Sequence, residues 1–207
     1  KANKIMDTVE EKLKTPYGYA VISQPYTSPR ADIGFVTTQV EGGYQNGSIY
    51  SHANSFKIKA DAMLKRNDDA YRTIKYLIPD SEYHKDTDAE PYQIPNSYFA
   101  PEAGYRGGMA GQSFITGTAG WVYNSVFLDI LGIKPSFDGL ILDPCLPSGW
   151  TDVSAVRMFR KSKYRFRFIK EKGIFNDIKE IKVNGNVIDG NLLPYGENQE
   201  FLVEVKL

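Results

Sequence analysis

The chain has 207 residues and balances 25 Lys plus Arg against 25 Asp plus Glu. Its 42% hydrophobic and 24% charged residues match a globular protein, and 13% aromatics exclude a disordered one. The zero net charge argues against a general nucleic-acid binder, and no apolar run reaches the ~18 residues of a membrane span. The one cysteine, Cys145, excludes an internal disulfide or a cysteine-rich zinc site and reads as a buried structural thiol.

The opening KANKIMDTVEEKLK is an amphipathic helix with Ile5, Met6, Val9 and Leu13 on one stripe. It lacks the apolar core and cleavage site of a signal peptide. With Lys1 in first place, a start inside a longer protein or a processed N-terminus is expected, in a reducing compartment such as the cytoplasm. Thr15-Pro16-Tyr17-Gly18 ends the helix. A Gly-, Pro- and Tyr-rich loop then runs to Ser51, far beyond the ~4–6 residues of ordinary connections. Tyr17, Tyr19, Tyr26, Tyr44 and Tyr50 mark it as ordered and functional, since each offers a flat apolar face with a hydroxyl.

A helix is predicted from about His52 to Leu64 with Phe56, Ala60, Met63 and Leu64 inward. Another starts near Asn67-Asp68 as N-cap, turns Ala70, Ile74 and Leu77 to the core, and closes at Pro79. A second long loop spans residues 80–112. Thr116-Gly117-Thr118 opens an apolar helix through Trp121, Val122, Val126, Leu128 and Leu131, stopped by Gly132. Beyond it the period becomes two. A short strand covers Leu140 to Leu142, and YRFRFIK sets Tyr164, Phe166 and Phe168 against Lys163, Arg165 and Arg167. Asn184-Gly185 signals a type I′ hairpin between Ile181/Val183 and Val187/Ile188. Phe201, Val203, Val205 and Leu207 alternate at the end. The fold class is α+β, helical first and an antiparallel β-sandwich second.

Among candidate sites, P-loop, dinucleotide and nucleophile-elbow motifs are absent from the sequence. The two histidines, His52 and His84, are too far apart in sequence to suggest a metal site. His52, where a polar loop becomes a helix, reads either as a locally bonded helix-start residue or as an anion or sugar ligand. Thr116-Gly117-Thr118 reads either as close helix packing or as a helix-start anion site of hydroxyls and backbone N–H groups. Together they suggest one oxyanion held between two helix N-termini. Glu41, Glu90, Glu102 and Asp138 lie in loops and single out no catalytic pair of the glycosidase kind. The basic face of YRFRFIK fits a solvated strand as well as nucleic acid.

Five stretches together resemble the inverting disaccharide phosphorylases of glycoside hydrolase family ninety-four, which include cellobiose and chitobiose phosphorylases. They are GYQNGSIYSHANSFKIKADAMLKRND, the tripeptide EPY at Glu90–Tyr92, SFITGTAGWVYNSV, ILGIKPSFDGLILDPCLPSGW and VNGNVIDGNLLPY. The resemblance keeps motif order over nearly the whole chain. It implies that residues 1–132 are the last helices of an (α/α)₆ barrel and residues 133–207 a C-terminal jelly-roll-like sandwich domain. It implies a phosphate pocket of His52, Thr116, Gly117 and Thr118, with either threonine as direct ligand. Gln45 stands where some relatives have a glutamate that reads the acceptor sugar, so it is a substrate-binding candidate. The family's general acid, an aspartate, would lie upstream, so no catalytic carboxylate transfers to this chain and the fragment alone is expected to be inactive. Inorganic phosphate would be co-substrate, with no cofactor and no metal. The expected partners are carbohydrate and phosphate, without nucleic acid or membrane, and the full-length protein could be a homodimer. A stand-alone carbohydrate-binding or interaction module is the alternative. A domain of a related hydrolase or cyclic glucan synthase is another.

Overall fold

The computed structural model describes residues 1–79, 82–85, 87–90, 92–112 and 116–207, a mixture of helix and several sheets. It divides into two compact units, residues 1–64 with 69–123 and residues 65–68 with 124–207.

The first unit begins with α1 (Ala2–Lys12), of which Met6 is buried while Ile5 is exposed, against its predicted place on the apolar stripe. The predicted stop at Thr15–Gly18 is a hairpin turn joining β1 (Lys14–Thr15) to β2 (Gly18–Tyr19). The Thr15 hydroxyl holds the turn, accepting from the Tyr17 N–H at 3.1 Å and donating to the Gly18 carbonyl at 2.8 Å. The two long loops are not structureless. Each contributes to a small antiparallel sheet of β3 (Ile49–Tyr50), β4 (Ser97–Tyr98) and β5 (Ala110–Gln112). Ile49, Tyr98 and Ala100 form a buried cluster there, with Tyr17 packed on it.

Helix α2 (Ser51–Met63) forms where predicted, but its inward face is different. Phe56 and Met63 are exposed, and Ala60 and Leu64 are half-buried. The buried positions are Asn54, Lys57, Ile58, Asp61 and Ala62, with Ser51 and Ser55. Polar side chains can occupy that face because they are paired. Asn54 accepts from the Tyr19 N–H and donates to the Tyr19 carbonyl, at 3.1 and 2.9 Å. The Lys57 ammonium reaches Asp61 at 2.6 Å and Glu10 at 2.9 Å, and lies 4.0 Å over the Tyr19 ring. Glu10 also receives Arg72 and the Tyr19 hydroxyl. Burial pushes the Glu10 carboxyl up, but hydrogen bonds from Tyr19 and Lys57 and the charges of Lys57 and Arg72 outweigh it and hold the group at about 2.

Helix α3 (Asn67–Leu77) buries Ala70, Ile74 and Leu77 as the sequence predicts. Its first residues bond elsewhere than in the expected cap. The Asn67 amide donates to the Leu146 carbonyl and to Asn176, and Asp68 accepts from the Ser148 N–H. Helix α4 (Thr118–Ser125) runs into one π-helical turn, Val126–Ile130, instead of continuing as α-helix to Leu131. Gly132 ends it with φ 65°, and a Cβ there would come within 2.2 Å of the Asp143 carbonyl, so only glycine fits.

In the second unit, β6 (Ile133–Ser136) and β7 (Gly139–Leu142) pair, and β12 (Leu192–Leu193) joins the other edge of β7. A five-stranded sheet contains β8 (Asp152–Phe159), β9 (Ser162–Ile169), β10 (Glu180–Val183), β11 (Asn186–Val187) and β13 (Glu200–Lys206), in the order β11-β10-β13-β9-β8. The expectation of a purely antiparallel half is corrected at one pair: β13 runs parallel to β9. Its two neighbours β9 and β10 point in opposite directions, so a strand entering between them must run parallel to one of them. The alternation itself is as predicted. Tyr164, Phe166, Phe168, Phe201, Val203 and Val205 are buried, and the three rings of β9 stack in a row about 6 Å apart. Asn184 and Gly185 both have positive φ, as a type I′ turn requires. Cys145 is fully buried.

Candidate functional site

All five sequence-predicted site residues lie in the first unit. The turn carrying Gln45 is built by its neighbours. Asn46 is fully buried and ties three segments, accepting from the Tyr26 N–H and donating to the carbonyls of Tyr26 and Gln39. Gly42 has φ 70°, and a Cβ there would meet the Ala103 nitrogen at 2.8 Å, so the close approach needs glycine. Tyr44 is held in the left-handed region at φ 48°, which turns its ring and the Gln45 side chain outward. Gln45 is exposed and paired with Gln39: the Gln39 amide donates to Gln45 Oε1 at 2.5 Å, and the Gln45 N–H donates back at 3.1 Å.

Gln39, Tyr44 and Gln45 line a cleft of about 630 Å³, which Tyr50, Asn96, Ser97 and Gln112 complete. It holds amide donors and acceptors with two tyrosine faces, and pockets of this size take small ligands. The tyrosine-rich loop thus divides its work. Tyr17 and Tyr19 pack inside, while Tyr44 and Tyr50 face the cleft. Gln39, Asn96 and Gln112 carry no motif signal; the sequence points to this region only through Gln45 and the tyrosines beside them.

Tyr50 connects the cleft to His52, their rings edge to face with centroids 6.2 Å apart. His52 occupies the first turn of α2, which has no side-chain cap. Its ring lies 4.9 Å from Phe56 and 6.0 Å from Trp121. His52 Nε2 is buried without a hydrogen-bond partner among the described residues, and so is the neighbouring Ser51 hydroxyl. Buried polar atoms are normally satisfied, so an orphan pair at an uncapped helix start calls for an explanation.

Trp121 belongs to the first turn of α4, so the starts of α2 and α4 meet through the His52–Trp121 contact. At α4, Thr116 Oγ1 accepts from the Thr118 N–H at 3.2 Å, and the two hydroxyls share a bond of 2.6 Å. Thr118 is fully buried, Thr116 half-buried and Gly117 exposed. The preceding Ser113–Ile115 of the same motif, and Pro91 of the Glu90–Tyr92 tripeptide, lie outside the described residues.

The second histidine has a structural role. His84 is buried, stacked on Tyr98 at 3.7 Å, with Nε2 2.7 Å from the Tyr76 carbonyl. Burial pushes its pKa down against the pull of backbone carbonyls. Of the loop carboxylates, Glu41 and Glu102 line a separate pocket of about 480 Å³, while Glu90 and Asp138 are exposed. Among the described residues no group of three or more His, Cys, Asp or Glu is arranged for a metal ion, and no helix is long and apolar enough to cross a membrane.

Residues 1–132, the stretch that holds the cleft and both helix starts, match the glycosyl hydrolase 94 superfamily, catalytic domain. The chain belongs to that family. It is 33% identical over 210 residues to a solabiose phosphorylase from Paenibacillus borealis, covering 100% of this chain and 27% of that protein. An N,N'-diacetylchitobiose phosphorylase from Vibrio proteolyticus is 32% identical over 209 residues, 100% of this chain and 26% of its own length. A cellobionic acid phosphorylase from Neurospora crassa is 30% identical over 193 residues, 90% of this chain and 24% of its own. The chain therefore spans about a quarter of the length of these curated relatives.

Proposed function

We propose that this chain is the C-terminal part of a carbohydrate phosphorylase. The whole protein would cleave a β-linked disaccharide or oligosaccharide with inorganic phosphate and release an α-sugar 1-phosphate with inversion. The observation that carries the reading is the unpartnered His52 Nε2 at an uncapped helix start, in contact with the helix that opens at Thr116–Thr118. An anion there would gain an imidazole donor and two positive helix ends. Thr116 and Gly117, less buried than Thr118, are the better placed of that segment to touch it. Gln45, in the adjoining cleft, would read the acceptor sugar.

The chemistry requires no pair of catalytic carboxylates from this chain. Phosphate is already anionic, so it needs neither the water nor the general base of an inverting hydrolase. It attacks the anomeric carbon opposite the leaving oxygen, the glycosidic C–O bond breaks, and a general acid protonates that oxygen. We assign the acid to an aspartate outside this chain. This chain's share is to hold phosphate in line for attack. In this reading residues 1–132 close an (α/α)₆ barrel and residues 133–207 form a jelly-roll-like sandwich. The protein is cytoplasmic, works without a cofactor and can pair as a homodimer.

The test is His52→Ala in the full-length protein. The KM for phosphate should rise at least about tenfold, the loss of one charge-assisted contact, with the KM for sugar little changed. An unchanged phosphate KM removes His52 from the pocket.

A further inference from the structure

The cleft that holds Gln45 does not end at Tyr44. The same ring lines a second pocket of about 370 Å³ on its other side, with Asp88, Phe99, Tyr105 and Arg106. The strand pair β4–β5 floors both: Ser97 and Gln112 face the cleft, while Ala110 and Gly111 face the smaller pocket. We infer that the smaller pocket is a second acceptor subsite for a neutral sugar ring, so that the enzyme takes substrates one sugar longer than a disaccharide. The inference rests on the phosphorylase reading above and names the length of substrate it would prefer.

Three observations carry it. Tyr105 is 85% exposed at the rim, a flat apolar face of the kind that packs on a pyranose ring. Arg106 lies 5.5 Å from the Phe99 centroid and 5.6 Å from that of Tyr105, bonds the Tyr105 hydroxyl at 3.2 Å, and has no carboxylate partner among the described residues. Its fork keeps N–H donors for a ligand. Asp88 accepts from the Ala110 N–H at 2.7 Å through one oxygen, which fixes the carboxylate and leaves the other to accept. A donor fork, an acceptor and an aromatic face together suit vicinal hydroxyls. The Asp88 charge beside Arg106 disfavours a phosphate or a sugar acid, which would need the cation alone.

The experiment measures phosphate-dependent sugar 1-phosphate release by the full-length protein from β-linked glucose and N-acetylglucosamine di- and trisaccharides. In Tyr105→Ala and Arg106→Ala, kcat/KM for the trisaccharide should fall roughly tenfold, one contact of ordinary strength, while that for the disaccharide stays within about twofold. Asp88→Asn, which keeps the acceptor for Ala110, should show the same selective loss. Equal losses on both substrates, or no loss on either, overturn the subsite; disaccharide turnover also reports that the variants fold. No phosphate-dependent release from any substrate by the unmutated protein overturns the phosphorylase reading instead. Calorimetric trisaccharide binding then decides the subsite separately: loss in Arg106→Ala keeps it, and no binding by the unmutated protein removes it.

Discussion

The five-stranded sheet of the second unit buries Tyr164, Phe166, Phe168, Val203 and Val205 on one face and leaves Arg165 and Arg167 on the other, paired with Glu200 and Asp152. The central helix of the first unit does the reverse. Helix α2 buries Lys57, Asp61 and Asn54 and leaves Phe56 and Met63 in water. The sheet is held by non-directional burial, which tolerates small adjustments. The helix is held by a network in which Glu10, Tyr19, Lys57, Asp61 and Arg72 depend on each other's geometry, and such networks fail when one member is removed. The unit with the candidate site is thus also the one whose interior is set by direction rather than by area.

That contrast can be broken at both ends. Phe168→Ala should cost the second unit about 3–5 kcal/mol, the range for a buried aromatic, seen as lost hydrogen-exchange protection in β8, β9 and β13. Lys57→Ala should cost the first unit about 3 kcal/mol, because it takes the ammonium away from Asp61, at zero exposure, and from Glu10. Lys57→Met paired with Asp61→Leu should recover most of that, since a matched apolar pair leaves no buried charge; a double variant no better than the single one would show that the network is not what holds α2. Acid should separate the two units as well. Glu10 is held at about 2 against an ordinary 4.5, so its contribution is complete above about 4.5 and is lost as pH falls toward 2. Exchange protection in α1 and α2 should fade across that window before protection in β9 does. Arg167→Ala should leave exchange protection in β8 and β9 nearly unchanged, as for other exposed ion pairs.

The same difference decided what could be read from the chain. The strands carrying Tyr164, Phe166 and Phe168 and the Asn184-Gly185 turn follow from period-two patterning and local turn chemistry, and they are where the sequence places them. The parallel pairing of β13 with β9 is a choice among partners, which alternation does not encode. The inward face of α2 was misread because periodicity scores Phe56 and Met63 as core, and only a partner 47 residues away, Glu10, makes Lys57 a core residue. His52, Gln45 and the Thr116–Thr118 segment could be singled out from helix-start chemistry and family motifs. Gln39, Asn96, Gln112, Tyr105 and Arg106 could not, because β3, β4 and β5 draw them from two loops that share no pattern.

The place of β13 has a consequence for how the protein is made. It is the last strand in chain order yet sits in the middle of its sheet, between β9 and β10. On the ribosome, the hairpins β8–β9 and β10–β11 emerge first and can each close alone. They have no shared edge until residues 200–206 leave the tunnel. For that interval β9 and β10 each keep a bare edge, that of β9 beside its aromatic row, the kind of surface on which neighbouring chains pair wrongly. Soluble yield in cells should therefore respond to chaperone supply, or to slowed synthesis of residues 200–206, more than to any change in the cleft.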